Sequence, residues 1–207
     1  MSPGVPRTTA MRRIVQIVLA LAVFAVVSGC PAPPLADERT PEGAYARIAL
    51  AIQEGRDRDV FPFLEDEAQW AAYTIRKERA TALARARASH PAAELAVLEA
   101  AWAADAGAVD GADVFARLAG ARGWLARLRK DLSGVARVET DGDRATLVTV
   151  RGGRLPMRRR TVGIWGLTAF TAELTADAER ATRDRMRVEE AARDYDLAAG
   201  KAVDGGG

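Results

Sequence analysis

Residues Met11–Cys30, MRRIVQIVLALAVFAVVSGC, constrain this chain more than any other stretch. Arg12 and Arg13 precede an apolar run from Ile14 to Val27 that only Gln16 interrupts, and the small residues Ser28 and Gly29 follow it. A charged start, a short apolar core and a small-residue cleavage site have the order of a secretory signal. The run falls short of the roughly 20 residues that a membrane-spanning helix needs, so a stop-transfer helix fits less well. Met11 is well placed as the start, and Met1–Ala10 otherwise only lengthens the charged region. Cys30 is the one cysteine, which excludes an intrachain disulfide and a cysteine-based zinc cluster.

Val27-Ser28-Gly29-Cys30 resembles the lipobox of bacterial lipoproteins. The resemblance implies that residues 1–29 are a signal peptide and that Cys30 becomes the first mature residue. Its thiol would then carry a diacylglyceryl group, with palmitate among the acyl chains, and the protein would reach the membrane through that lipid. Pro31 stands where lipoproteins retained in the inner membrane often carry Asp. The implied location is therefore the periplasmic face of the outer membrane. The alternatives on the residues alone are an ordinary secreted chain and an uncleaved anchor.

Without the signal, Arg7, Arg12 and Arg13 leave the count, so the 30 basic residues become 27 against 28 acidic. The basic character of the whole chain is thus a property of the signal, and no overall charge argues for nucleic acid. Residues 30–39 carry three prolines and no periodic apolar pattern, and read as a tether. Residues 40–199 suit a single helix-rich domain, and residues 200–207 read as a disordered tail.

Along that domain, Thr40-Pro41-Glu42 opens a helix that Gly55 ends, with Tyr45, Ile48, Ala49 and Ile52 on one face. Val60–Leu64 is a dense apolar plug. A long helix follows Glu65-Asp66-Glu67, with Trp70, Tyr73, Ala80 and Ala84 at helical spacing, and His90-Pro91 stops it. The next helix places Leu95, Leu98 and Trp102 together. Asp113 can cap the segment beyond, which Gly120 and Gly123 divide. After Ser133-Gly134 the period becomes that of strands. Asp141-Gly142 predicts a hairpin turn, and Gly152-Gly153 predicts a two-residue turn that sets Val150 opposite Leu155 and Val148 opposite Met157. A three-residue loop ending at Gly163 would set Met157 against Leu167 and Arg159 against Trp165. Phe170–Ala199 is a charged helix with a thin apolar stripe, free at its far end to project or to meet a partner. The fold class is α+β: a helical N-terminal half on a small antiparallel meander of three to four strands, then a long C-terminal helix.

Thr40-Pro41-Glu42-Gly43-Ala44-Tyr45, the Phe61–Leu64 plug and Gly163-Ile164-Trp165-Gly166-Leu167 resemble the NTF2-like (cystatin-like cone) group of small bacterial lipoproteins. That likeness implies a pocket between sheet and helices, with Arg159 at its mouth and Trp165 in its wall. The group's sheet usually has more strands, and here a long helical insertion separates plug from meander.

The chemistry is sparse. His90 is the one histidine and sits at a helix break, so no Ser/His/Asp arrangement can be argued. Glu65-Asp66-Glu67 suits the positive end of a helix better than a cation, and the four tryptophans fall in apolar patterns, with a carbohydrate platform as the alternative to core packing. The expected inward sheet residues are Thr146, Val148, Val150, Leu155, Met157, Arg159, Trp165 and Leu167, which offer one cation and no base. No catalytic residue, cofactor or metal is expected. Between Gly134 and Arg160 stand seven arginines and three acids. With the expected register, Arg151, Arg154, Arg158 and Arg160 point away from the core and can clamp phosphates or carboxylates of an anionic envelope component. The other readings of that face are a solvated surface and one covered by the acidic C-terminal helix. The expected function is a non-catalytic, lipid-anchored envelope protein that presents its domain to a protein or envelope partner. The alternatives are an NTF2-like small-ligand pocket and an enzyme on that fold.

Overall fold

The structure is a computed structural model and describes residues 36–204, with side chains through residue 200. The signal, Cys30 and the first half of the tether lie outside the described residues. In chain order come α1 (Pro41–Gln53), a 3-10 segment (Asp57–Phe63), α2 (Asp66–Ser89), α3 (Ala92–Ala106), α4 (Gly111–Ala121), α5 (Trp124–Asp131), β1 (Val135–Asp141), β2 (Arg144–Thr149), β3 (Arg154–Arg159), β4 (Trp165–Leu167) and α6 (Thr171–Asp204). The strands form one antiparallel sheet in the order β1-β2-β3-β4. The fold is thus α+β, with helices first, a four-stranded meander next and a long helix last.

Local chemistry explains most helix ends. The Thr40 side chain accepts from the Gly43 N–H, with Pro41 in the first turn where its missing N–H costs nothing. His90 is extended before Pro91 and ends α2. Gly123, in the left-handed region at φ 64°, separates α4 from α5. Asp110 caps α4, its carboxylate accepting from the Asp113 N–H at 2.9 Å, so the cap lies three residues earlier than the sequence suggests. α6 runs on through Gly200 to Asp204, where a frayed tail was expected.

One core joins α1, the 3-10 plug, the start of α2, α4, α5, the inner sheet face and the start of α6. Its aromatic centre has Phe115 beside Phe61, Trp124 and Phe170, with Trp124 and Phe170 stacked at 5.0 Å. The Tyr45 hydroxyl donates to the Ser133 carbonyl at 2.6 Å and accepts from the Ser133 N–H at 3.0 Å, tying α1 to the turn into the sheet.

The second half of α2, α3 and α6 form a helical arm with its own small core of Ala82, Ala86 and Val188 against Leu95, Leu98 and Trp102. Arg79–Asp184 and Arg85–Asp196 pairs, at 2.7 and 2.6 Å, advance together along α2 and α6, so the two helices run parallel. Their seam is built of small residues, Ala71, Ala72, Ala82, Ala86, Ala178 and Ala181, which let the backbones approach. α2 carries five basic and three acidic residues, whereas Phe170–Ala199 has eight acids and five arginines. The acidic helix therefore lies on α2 and does not cover the arginine-rich sheet face. The alanine seam also rotates α2: Trp70 is 72% exposed and Tyr73 is exposed beside it, where the sequence pattern put both in the core.

The β2–β3 register differs from the expected one. Thr149, Val150, Arg151, Gly152 and Gly153 make a three-residue turn, closed by the Thr149 N–H to the Gly153 carbonyl at 2.9 Å. Gly152 takes φ +85°, and the Thr149 hydroxyl accepts from the Gly153 N–H. Leu147 then pairs with Leu155 and Ala145 with Met157. The shift is odd, so it turns β2 over. Ala145, Leu147 and Thr149 face the core, Leu147 fully buried, and Val150 is 70% exposed at the turn. The inward assignment of Thr146, Val148 and Val150 is corrected accordingly: Val148 is buried, but on the opposite side of β2 from Leu147 and outside the main core. The β3–β4 register is the expected one, with Met157 on Leu167 and Arg159 on Trp165 around Gly163.

Candidate functional site

Two elements shape the end of the sheet where the chain enters the domain. β4 is an edge strand, and its free side is covered by two short segments. The Trp165 N–H donates to the Glu38 carbonyl at 3.2 Å, and the Glu65 N–H donates to the Leu167 carbonyl at 3.2 Å. The buried Trp165 indole donates from Nε1 to the Arg39 carbonyl at 3.1 Å. Asp37 lies against the first turn of α1 because Gly43 has no side chain to displace it. Its carbonyl accepts from the Thr40 N–H at 3.0 Å and the Thr40 hydroxyl at 2.8 Å. The start of the described chain is therefore fixed beside the β3–β4 turn.

That turn is also docked on α2. Arg160 donates from Nε to Asp66 at 2.6 Å, from Nη1 to the Pro62 carbonyl at 2.5 Å and from Nη2 to Gln69 at 3.3 Å. The Thr161 N–H and hydroxyl both donate to Asp66 at 3.1 Å. Burial pushes the Asp66 carboxyl up, but these hydrogen bonds outweigh it and hold the group below its ordinary value.

The four arginines do not converge. Arg160 faces α2, with its side chain largely buried. Arg151 sits in the β2–β3 turn and donates to the Lys130 carbonyl at 3.1 Å. Arg154 and Arg158 share the outer sheet face, but each already has a carboxylate: Arg154 meets Glu139 at 2.9 Å, and Arg158 meets Asp143 at 3.2 Å. Arg137 and then Arg154 hold the Glu139 carboxyl below its ordinary value. On the outer face Arg137, Arg154 and Arg158 are paired, because β1 and its turn supply Glu139 and Asp143 beside them. Arg151, Arg154, Arg158 and Arg160 are thus not brought together into one clamp.

Arg159 stands opposite Trp165 as expected, but its side chain is exposed, while the indole turns inward to Arg39. The cation–π contacts among the described residues are Arg79 on Trp102 at 4.3 Å and Arg122 on Trp124 at 5.1 Å. Beneath the sheet, Tyr45, Ile48, Leu128, Leu132, Leu155 and Met157 close on one another. Arg159 and Trp165 thus do not line a cavity there.

Elsewhere, an open apolar groove of about 410 Å³ runs between α3 and α6 on the arm, past Val97, Leu98, Trp102 and Val188. His90 lies at its end, 3.1 Å from the Ser89 hydroxyl and edge-on to the Tyr195 ring at 5.0 Å. The Tyr195 hydroxyl donates to Glu94 at 2.6 Å, which raises its pKa above the ordinary value. No group of three or more His, Cys, Asp or Glu side chains suited to a metal ion occurs among the described residues, and no helix among them is long and apolar enough to cross a membrane. Sequence reasoning missed the exposed Trp70–Tyr73 pair, whose rings lie 6.4 Å apart. The alanines at 68, 71 and 72 were the available signal, because they supply a rival small-residue face.

Comparison with protein-family models, with curated proteins and with solved structures found no match.

Proposed function

We propose that this is a lipid-anchored protein of the bacterial cell envelope, held through Cys30 at the periplasmic face of the outer membrane. Its role is to present an α+β domain and a helical arm to other envelope components, without catalysis. The lipobox-like Val27-Ser28-Gly29-Cys30 supports the anchor. The observation that carries the non-catalytic reading is the filled space beneath the sheet, where NTF2-like proteins keep a pocket. The arginine pairings support it as well: Arg154 and Arg158 each meet a carboxylate on the outer sheet face, and Arg160 is held against α2 by Asp66. The second reading, an NTF2-like small-ligand pocket, needs an open cavity beneath the sheet, where Tyr45, Ile48, Leu155 and Met157 pack together.

The test is metabolic labelling with palmitate, followed by membrane fractionation. The wild type should carry label and sediment with membranes, and Cys30→Ala should lose the label and move to the soluble fraction. Label retained by Cys30→Ala would rule out Cys30 as the acylated residue.

A further inference from the structure

We propose that the corner formed by the β3–β4 turn and the first turns of α2 rests on the bilayer, with Trp70, Tyr73 and Val162 among the headgroups and Arg159 toward their phosphates. The inference rests on the lipid anchor at Cys30.

The first argument is reach. Five residues, Pro31–Leu35, separate Cys30 from Ala36. Fully extended, they span roughly 20 Å at most. The chain then enters the domain at a fixed place, because Glu38 and Arg39 are hydrogen-bonded to Trp165. Counted on to Glu38, the chain holds the surface beside Trp165 within roughly 30 Å of the anchoring lipid. The apolar groove on the arm is different: it lies at the far end of α2, whose 24 residues extend about 36 Å.

The second argument is what that surface exposes. Val162, at the tip of the turn, is 64% exposed. Thr161 beside it is bonded to Asp66, and Asp66, Trp70 and Tyr73 follow at i, i+4 and i+7 on one helical face. The turn and the exposed aromatic pair are thus neighbours. Trp and Tyr suit the boundary between headgroups and acyl chains, with an apolar ring and a polar edge. Arg159 is exposed at the base of the turn and supplies a positive charge for anionic headgroups. Of the nearby acids, Asp66 is neutralised by Arg160, while Glu67 is exposed one turn before Trp70. A large aromatic ring, a branched aliphatic tip and a cation left in water beside a short lipid tether have a common partner in the bilayer surface.

The test uses the full lipoprotein, reconstituted by detergent removal into phosphatidylethanolamine–phosphatidylglycerol vesicles whose acyl chains are brominated near the headgroup. Bromine quenches tryptophan only at short range. Trp124 and Trp165 are buried, and Trp102 lies on the arm. Flotation of the vesicles is measured on the same samples. The expected result is co-flotation with quenching of up to one tryptophan's share of the four. Trp70→Phe should float equally and lose the quenching, and Val162→Asp should float and be quenched less. Co-flotation without quenching, or quenching that survives in Trp70→Phe, would overturn the docked corner and leave the anchor standing; a protein partner on this face would give that result. Wild type that fails to float would overturn the anchor, and the docked corner with it.

Discussion

Replacing Gly43 by alanine should destabilise the domain, against the usual direction for such a change in a helix. Gly43 is in the first turn of α1, where alanine is ordinarily favoured by about 1 kcal/mol. Here a Cβ would overlap the carbonyl group of Asp37, a backbone atom pair that cannot rotate aside. The segment from Asp37 to Arg39 must then move. Two buried donors of Trp165, its N–H to Glu38 at 3.2 Å and its Nε1 to Arg39 at 3.1 Å, lose their acceptors. Each unsatisfied buried donor costs about 1–3 kcal/mol. Together they outweigh the gain from alanine, for a net loss of about 1–5 kcal/mol. Urea unfolding of the full chain in detergent, followed by tryptophan emission, measures the loss, and trypsin should cut faster after Arg39. Unchanged stability, or a gain of about 1 kcal/mol as at a roomy helical site, would refute the fixed entry of the chain beside Trp165.

Two further perturbations probe the sheet and its clasp. Leu147→Ala should cost about 2–5 kcal/mol, as for a buried leucine, whereas Val150→Ala at the exposed turn should stay within about 0.5 kcal/mol; the reverse order in urea unfolding would restore the two-residue turn. Asp66 has a folded-state pKa below its ordinary 3.8, so its contribution is fully present above that value and is lost as pH falls through the lowered one. The stability difference between wild type and Asp66→Asn should therefore be flat from about pH 7 to 5 and shrink below about pH 4, and a difference independent of pH would remove the Arg160–Asp66–Thr161 clasp from the account.

Local chemistry was readable from the sequence, and long-range choice was not. Thr40, His90-Pro91 and Gly123 mark helix ends because capping and backbone restriction act within a few residues. Gly163 fixes the β3–β4 register for the same reason. Gly152-Gly153 misleads because either register places apolar residues on one face: Val148 and Val150 in one, Ala145 and Leu147 in the other. Periodicity cannot arbitrate between them, and the Thr149 hydroxyl that closes the real turn leaves no pattern. In α2, ranking by hydrophobicity favours Trp70 and Tyr73 for the core. The seam with α6 instead requires alanine, and that partner helix begins far along the chain. The arginines of the sheet were readable as a charge excess, but their partners were not. Glu139 and Asp143 each lie 15 residues from the arginine they meet, and Asp66 lies 94 residues from Arg160.

The lipid at Cys30 is open to measurement through the intact mass of the membrane-extracted protein. The expected chain begins at Cys30, lacks residues 1–29 and carries the added mass of a diacylglyceryl group on that residue. A chain of unmodified mass that begins after a different cleavage site, or that keeps Ile14–Val27 with a free Cys30 thiol, would contradict it.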